Sequence, residues 1–353
     1  MKLRNILSLA AATVALIGLG CGGDSDSTAD GGASGASGGK PTIAVSIPSA
    51  DHGWTGGVVY WAEQAKKDFA DVADIQIQQA GTADEQVGQV QAFTSANVDG
   101  MVILAHNSGP LTPAAGEVSD RGIYLVSVDR GFDEPVANVY IAGDNAAFGR
   151  ESAKYVAERM KERGETNLVI LTGIEGNIVN ASRVEAAKEV FAEYPEINIL
   201  AEQPGDWSRE KSTTVMQGIL AGNPDIDAVW CQDDDMAEGV EQAINEAGRQ
   251  GIWIFGGAGK KQIVERVMNS DETFPATMTY PPGMIYAGIA VAVAELTDGG
   301  LEAADDDLLS YLGVTREQLA EAKGKDGQQE ITLDVALVTP DNAEEYYFPD
   351  SLY

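Results

Sequence analysis

The stretch VSIPSADHGWTGGVVYWAEQAKK, residues 45–67, begins as an apolar strand and ends as a helix. A short apolar run that leads directly into a helix is the first half of a βαβ unit, the building block of parallel sheets. Between the two stand Asp51, His52 and Trp54, where a few small turn residues would make the connection. Ligands of open parallel sheets bind beyond the carboxyl ends of the strands. We therefore predict that these three residues belong to a binding site.

The same alternation of strand and helix continues along the chain. Apolar runs such as TIAVSI, GMVILA, IYLVSV, NLVILTG and IWIFGG are separated by longer helical runs, which predicts parallel sheets with right-handed crossovers. The runs form two series of about a hundred residues each, which favours an α/β fold of two doubly wound parallel-sheet lobes over one barrel. The predicted helices cover residues 56–70, 84–96, 146–163, 183–193, 209–221 and 236–247.

Length and charge limit the classes of partner. The chain has 353 residues, of which 44% are hydrophobic, so it can bury a large globular core. Its formal net charge is −32. A surface this acidic repels the phosphates of nucleic acids and of anionic lipids. We therefore expect no nucleic-acid partner and no direct contact between the folded body and a membrane surface.

The N-terminus has the pattern of an export signal. Lys2 and Arg4 precede an uncharged apolar run at 6–19 that is too short to favour a permanent membrane span. The sequence GLGC resembles a lipobox, so residues 1–20 are predicted to be a signal peptide and Cys21 a lipidated residue. Plain secretion, or a misread start, is the alternative. Residues 21–40 are rich in Gly, Ser, Ala and Asp and predict a flexible linker between the lipid anchor and the body.

Polar and aromatic residues follow several of the predicted strands. Taken singly, each is explained by a helix N-cap or a solvated loop charge. Together they place carboxylates, guanidinium groups and indoles at the same edge of two sheets, a combination that suits sugar hydroxyls and the C–H faces of sugar rings. The residues are Asp129 and Arg130, then Asn177, Asn180 and Arg183, then Trp207, and finally Asp233, Asp234 and Asp235.

Over residues 40 to about 342, the chain resembles the ribose-binding type of periplasmic sugar-binding protein, the receptor of a sugar ABC importer. The motifs that carry the resemblance include IYLVSVDRGF, YIAGDNAAFG, SRVEAAKEVF, ILAEQPGDWSREK, PDIDAVWCQDDD and PATMTYPP. The resemblance implies the type I periplasmic binding protein fold, in which three chain segments form a hinge between two lobes. Transferred position by position, it implies ligand contacts at His52, Trp54, Asp129, Arg130, Arg183, Trp207, Asp233 and Tyr280, with Asp51 and Thr55 beside the first two.

The resemblance also implies where the chain passes between the lobes. Crossings near Gly143, Tyr280 and Thr332 would give an N-terminal lobe of residues 41–143 plus 281–331 and a C-terminal lobe of residues 144–280 plus 332–353. The acidic segment 299–328 is longer than the family pattern has at this place. Within it, Thr315 followed three residues later by Gln318 predicts a capping box and a short extra helix.

The sequence departs from the family pattern at the predicted site. Where the family has an aspartate that binds sugar hydroxyls, this chain has Ala258, and either Lys260 or Lys261 could face the cleft in its place. His52 and Tyr280 each replace an amide. Because a buried hydroxyl without a partner is costly, we expect a sugar other than ribose, or a polyol, to be preferred.

We therefore predict a monomeric, lipid-anchored protein of the periplasm or cell surface that binds a monosaccharide or related polyol between its lobes and delivers it to an ABC permease. A ligand sensor that docks to a chemoreceptor or sensor kinase is the alternative, because its lobes would look the same. The chain has two histidines and lacks a G-x-S-x-G motif, an H-E-x-x-H motif or a Cys/His metal set, so we expect no enzymatic activity, cofactor or metal. An export signal stands where a related transcriptional regulator would have a DNA-binding helix-turn-helix.

Overall fold

The computed structural model describes residues 39–50, 53–324, 327–347 and 353. Cys21, the signal peptide and nearly all of the linker lie outside the described residues, as do Asp51 and His52. Residues Lys40–Tyr353 form a single compact unit. Among the described residues, no helix combines the length and the apolar character needed to cross a membrane.

The first sheet of the described chain has six strands, and all of its neighbouring strands run parallel. The bounds are β1 (Thr42–Pro48), β2 (Asp74–Ala80), β3 (Gly100–Leu104), β4 (Tyr124–Val128), β5 (Val139–Gly143) and β11 (Gln329–Leu333). Their spatial order is β11-β5-β4-β3-β1-β2, so the order reverses between β1 and β3. A crevice for a ligand is expected at such a reversal, outside the carboxyl ends of the strands.

The second sheet of the described chain has four strands, again all parallel. The bounds are β6 (Asn167–Thr172), β7 (Asn198–Pro204), β8 (Ala228–Cys231) and β9 (Trp253–Phe255). Their order, β7-β6-β8-β9, reverses between β6 and β8. A short antiparallel pair, β10 (Thr277–Met278) with β12 (Leu337–Val338), lies apart from both sheets. The predicted α/β fold with two doubly wound parallel sheets is confirmed.

Helices cover both faces of each sheet. The described helices are α1 (Gly53–Asp68), α2 (Ala83–Ser95), α3 (Ser108–Asp120), α4 (Asn145–Arg163), α5 (Ile178–Ala192), α6 (Arg209–Gly222), α7 (Asp234–Glu246), α8 (Lys261–Met268), α9 (Met284–Leu296), α10 (Asp306–Tyr311) and α11 (Arg316–Glu321). Two 3-10 turns span Gly300–Ala303 and Ala343–Tyr346. In the first sheet, Val126 and Val128 pack on the side of α1 and α9, whereas Leu125 packs on the side of α2 and α3. Burial on both faces explains why the central strands β3, β4 and β8 are almost continuously apolar.

Helix α5 begins five residues before the predicted start at residue 183. Asn177 accounts for the difference, because its side chain accepts a hydrogen bond from the backbone N–H of Val179 and caps the helix. Arg183 consequently lies in the second turn of α5, and its side chain is buried.

The acidic segment 299–328 contains two short helices, α10 and α11. The predicted capping box at the start of α11 is confirmed, since Thr315 accepts from the N–H of Gln318 and the Gln318 side chain accepts from the N–H of Thr315. Leu308 and Leu309 of α10 are buried in the same core as α1 and α9. The insertion therefore packs onto the body of the protein at this point. The exact lobe boundaries at residues 143, 280 and 331 stay a prediction.

Candidate functional site

A small cavity of about 30 Å³ lies between residues of the two parallel sheets. Nine ligand contacts were predicted from the sequence, and the seven that the structure describes all line this cavity. Val179 and Ala258 line it as well. The predicted contacts that line it are Trp54, Asp129, Arg130, Arg183, Trp207, Asp233 and Tyr280.

These side chains are brought together by the carboxyl ends of the strands. In the first sheet, Trp54 lies in the first turn of α1, and Asp129 with Arg130 follows β4. The second sheet contributes Trp207 from the loop after β7 and Asp233 from the end of β8, with Arg183 on the helix after β6. This is the placement expected of a ligand site at the reversal of strand order in a doubly wound sheet.

Asp129 and Arg130 are both nearly buried, with 3% and 5% of their surface exposed. Asp129 Oδ1 accepts a hydrogen bond of 2.6 Å from the Tyr280 hydroxyl. Arg130 Nη1 donates to the carbonyl of His106 at 3.0 Å, and the Arg130 carbonyl accepts from the Ser108 hydroxyl. The shortest charged contact between the two is 3.6 Å, from Nε to Oδ2, which is too long for a strong hydrogen bond. Each charged group is therefore held in place mainly by residues other than its neighbour.

Arg183 lies between two aromatic rings at the base of the cavity. Its guanidinium carbon is 4.0 Å from the ring centre of Phe148 and 4.2 Å from that of Tyr280. Its Nε donates to Asn145 Oδ1 at 2.9 Å and its Nη1 to the carbonyl of Gln232 at 3.0 Å. Stacking and two hydrogen bonds offset much of the cost of burying this charge.

Two tryptophans form opposite parts of the wall. Trp54 donates from Nε1 to the carbonyl of Tyr280 at 2.8 Å, and its ring centre is 6.0 Å from that of Tyr280. The indole of Trp207 packs against Gly173, where a β-carbon would lie 2.2 Å from ring atom Cε2. The guanidinium carbon of Arg130 is 5.4 Å from the ring centre of Trp207. Residue 173 must therefore be glycine for the indole to take this position.

The backbone is strained around the cavity. Asp129, Trp207 and Ala258 have φ angles of 63°, 55° and 80°, in the left-handed region that residues with a β-carbon rarely adopt. Each such residue costs of order 1–3 kcal/mol and persists only where the surrounding structure enforces it. Clustering of three strained residues at one cavity is typical of a site that positions side chains for binding.

Burial dominates the electrostatics of the carboxylates. The pKa of Asp129 is raised, because desolvation outweighs the attraction of Arg130 and the hydrogen bond from Tyr280. Burial, and then the charge of Asp235, raises the pKa of Asp233 to about 7. Burial likewise raises the pKa of Asp234 well above its usual value.

The raised pKa of Asp233 predicts a dependence of stability on pH. Between pH 4 and pH 7 the folded protein binds a proton at Asp233 that the unfolded chain releases, so this group stabilises the fold at low pH and the effect is lost as the pH rises. The groups that face it are Arg183, Asp234, Asp235 and the Tyr353 hydroxyl. We expect Asp233→Asn to reduce the stability difference between pH 5 and pH 8 by about 2–3 kcal/mol.

Urea unfolding of the wild type and of Asp233→Asn at the two pH values measures this effect. The two proteins have the same surface carboxylates. Repulsion among those carboxylates therefore contributes equally to both pH differences and cancels when the variant is compared with the wild type. An equal pH 5 to pH 8 difference in the two proteins would show that Asp233 ionises normally.

The structure answers the question raised by Ala258. Lys260 is paired with acids, its Nζ lying 2.6 Å from Asp235 Oδ1 and 2.8 Å from Glu238 Oε2. Lys261 lines a neighbouring pocket. The hypothesis that one of these lysines replaces the missing carboxylate is therefore wrong, because in the described structure the methyl group of Ala258 itself forms that part of the wall.

Sequence reasoning missed several supporting residues. Asn145 accepts a hydrogen bond from Arg183, and Phe148 packs against its guanidinium. Both residues lie within the motif YIAGDNAAFG, but no role was predicted for them from the sequence. Tyr353 places its hydroxyl 3.3 Å from Asp233 Oδ2, a contact across 120 residues for which the sequence has no signal. Within the described residues, no group of three His, Cys, Asp or Glu side chains is arranged to hold a metal ion.

Comparison with known proteins identifies the family. The profile described as "periplasmic binding protein domain" matches residues 43–300. The xylitol-binding protein of Mycolicibacterium smegmatis is 28% identical over 235 residues, which is 66% of this chain and 66% of that protein. The D-allose-binding periplasmic protein of Escherichia coli is 30% identical over 178 residues, which is 48% of this chain and 57% of that protein. The matches thus span somewhat less than two thirds of these relatives.

Solved structures agree on the fold. A periplasmic solute-binding protein of an ABC transporter from Actinobacillus succinogenes, with bound D-allose, has a TM-score of 0.71 at 24% identity, covering 87% of this chain and 100% of that one. The fructose-binding periplasmic domain of a hybrid two-component system has a TM-score of 0.69 at 25% identity, covering 87% of this chain and 93% of that one. With the fold, the cavity and the profile match in agreement, this chain belongs to the periplasmic binding protein domain family.

Proposed function

We propose that the protein is an extracytoplasmic receptor that binds a monosaccharide or a related polyol in the cavity and delivers it to an ABC permease. The observation that carries the proposal is the set of four nearly buried charged residues that line the cavity, Asp129 and Arg130 from one sheet and Arg183 and Asp233 from the other. Two carboxyl groups and two guanidinium groups place hydrogen-bond acceptors and donors side by side, which suits a neutral ligand that offers both donors and acceptors.

A small polyhydroxylated molecule has this chemistry. Its hydroxyls can donate to carboxylates and accept from guanidinium groups, while Trp54 and Trp207 can cover its C–H faces. The similarity to a xylitol-binding protein, a D-allose-binding protein and a fructose-binding domain supports the same class of ligand.

Binding would stabilise the closed arrangement of the lobes, because the ligand touches residues from both sheets at once. The proposed hinge passes near Gly143, Tyr280 and Thr332. At the first crossing a β-carbon on Gly143 would lie 2.4 Å from Tyr280 Cε2, so the strand end and the tyrosine are in close contact. The Tyr280 hydroxyl also donates a hydrogen bond to Asp129, and its ring packs on Arg183. Tyr280 therefore connects the proposed ligand contacts to the proposed hinge.

A thermal-shift screen of pentoses, hexoses, deoxy sugars and polyols tests the proposal. A ligand at 100 times its Kd stabilises the folded state by about 2.7 kcal/mol, which is readily detected. Because Ala258 presents a methyl group where the family pattern has a carboxylate, we expect a ligand other than ribose to bind at least about tenfold tighter than ribose. If no neutral sugar or polyol shifts the transition, the proposed function is wrong.

Gly173→Ala is expected to weaken binding of the best ligand from the screen by at least about tenfold, because the added methyl group displaces the indole of Trp207. The ligand-induced change in tryptophan fluorescence should shrink in parallel. Gly218→Ala on α6 is the matched control, since a β-carbon there meets nothing within 4 Å. Unchanged affinity in Gly173→Ala would mean that Trp207 does not contact the ligand.

Ligand sensing is the second candidate function, with docking to a chemoreceptor or sensor kinase in place of a permease. It is favoured by the similarity to the fructose-binding domain of a two-component system. Uptake of the radiolabelled ligand by cells with and without this protein separates the two, because only the transport function makes uptake depend on it. Catalysis is not part of either proposal, since the family consists of binding proteins.

We further propose that Cys21 carries a lipid that tethers a monomeric body to the outside of the cytoplasmic membrane. The support is the predicted export signal and the Gly- and Ser-rich composition of the sequence that follows Cys21. Cys21→Ala should move the protein from the membrane fraction to the soluble extracytoplasmic fraction without altering ligand affinity. Retention of the variant in the membrane fraction would contradict the anchor.

A further inference from the structure

We propose that the ligand is larger than one sugar ring and that a second sugar ring, linked as a glycoside, occupies an aromatic pocket beside the cavity. This inference rests on the proposed function and extends it. The aromatic pocket has a volume of about 250 Å³, against about 30 Å³ for the cavity. Five aromatic side chains line it: Tyr60, Trp61, Tyr311, Tyr346 and Tyr353.

The aromatic pocket adjoins the cavity. Ala258 lines both spaces. Tyr353 lines the aromatic pocket, and its hydroxyl is 3.3 Å from Asp233 Oδ2 in the wall of the cavity. Ala258 contributes a single methyl group and the next residue, Gly259, has no side chain. The side chains where the cavity and the aromatic pocket meet are therefore small at Ala258 and Gly259, so a ligand that extends from one space to the other would pass this point.

The acidic insertion builds one wall of the aromatic pocket. Asp305, Leu308 and Tyr311 of this wall come from helix α10 and its N-cap. The helix is fixed at its start, because the Asp305 carboxylate accepts from the N–H of Leu308 at 3.1 Å and the Asp305 N–H donates to the Tyr286 hydroxyl at 2.9 Å. A β-carbon on Gly283 would lie 3.0 Å from Leu308 Cδ1, so the helix also packs closely on the start of α9. The insertion thus forms a supported surface.

The lining has the chemistry of a sugar subsite. Flat aromatic faces cover the C–H faces of a ring, and the phenol hydroxyls offer hydrogen bonds at the edges. Burial, and then the neighbouring Tyr346, raises the pKa of Tyr311 to about 12, so this phenol keeps its proton and can donate. Asp305 and Asp307 stand exposed on the lining and offer acceptors for ring hydroxyls. A purely apolar substituent would leave these acceptors unused.

Isothermal calorimetry with matched pairs of sugars tests the inference. The probes are D-xylose with xylobiose, D-glucose with cellobiose and maltose, and D-galactose with lactose. We expect at least one disaccharide to bind about tenfold or more tighter than its own monosaccharide. Trp61→Ala and Tyr311→Ala should each remove most of that gain while changing the affinity for the monosaccharide less than twofold. Tyr194→Ala is the control and should change neither affinity, since Tyr194 follows the C-terminal end of α5, packs with Lys161 and lines neither the cavity nor the aromatic pocket.

The outcomes separate this inference from the proposed function. If monosaccharides bind but no disaccharide binds more tightly, the second-ring inference is wrong and the proposed function stands. If a disaccharide binds more tightly but both variants keep the gain, the second ring lies elsewhere and the inference is again wrong. If no sugar binds at all, the proposed function fails and the inference fails with it. Thermal unfolding of each variant shows whether it is folded, and Tyr60→Ala replaces any variant that is not.

Discussion

Replacing Arg183 with methionine is expected to lower the free energy of unfolding by about 3–5 kcal/mol at pH 8. The guanidinium is only 3% exposed, lies between Phe148 and Tyr280, and donates to Asn145. The positive charge of Arg183 favours the ionised form of Asp129 and of Asp233 by lowering the pKa of each. Removing the guanidinium therefore leaves these two buried carboxylates without this counter-charge. At pH 5 the carboxylates of Asp129 and Asp233 can take up protons and lose their charge. Arg183→Met should therefore lower the free energy of unfolding less at pH 5 than at pH 8.

Urea unfolding of the mature chain at both pH values measures the change. Arg163→Met is the matched control, since the Arg163 side chain is 43% exposed and its bridge to Glu165 is of the surface type, with an expected effect below about 1 kcal/mol. A loss in Arg183→Met no larger than that of the control would show that the carboxylates do not depend on Arg183 for their charge balance.

Replacing Asp129 with alanine is expected to weaken binding of the best ligand by about 2–4 kcal/mol while the protein stays folded. The carboxylate lines the cavity and is held by the Tyr280 hydroxyl, so it is positioned to accept from ligand hydroxyls without rearrangement. The fold should tolerate the change, because a buried acid with a raised pKa is removed.

Calorimetry with the best ligand from the screen tests this expectation. Asp129→Asn keeps a residue type that tolerates the positive φ of this position, and so separates loss of the charge from strain in the backbone. Glu134→Ala, an exposed acid a few residues further on, serves as the control. Wild-type affinity in both Asp129 variants would place the ligand elsewhere.

Much of the fold could be predicted from local pattern. Continuously apolar strands between amphipathic helices predict parallel sheets with helices on both faces, because each face of each strand must be buried. The rule that ligands bind beyond the carboxyl ends of such strands, together with the family resemblance, led to the seven described residues that line the cavity. The capping box at the start of α11 could also be predicted from the sequence, because it depends only on Thr315 and Gln318, three residues apart.

What the sequence determined by itself, then, is the order of strands and helices and which polar residues follow each strand. Only the tertiary structure decided that Arg183 stacks between Phe148 and Tyr280, that Lys260 pairs with Asp235 and Glu238, and that Tyr353 reaches Asp233. The physical reason is that these contacts join residues far apart in the chain, and their geometry depends on how sheets and helices pack. The aromatic pocket beside Ala258 has the same origin, because five separate parts of the chain, from Tyr60 to Tyr353, contribute its walls.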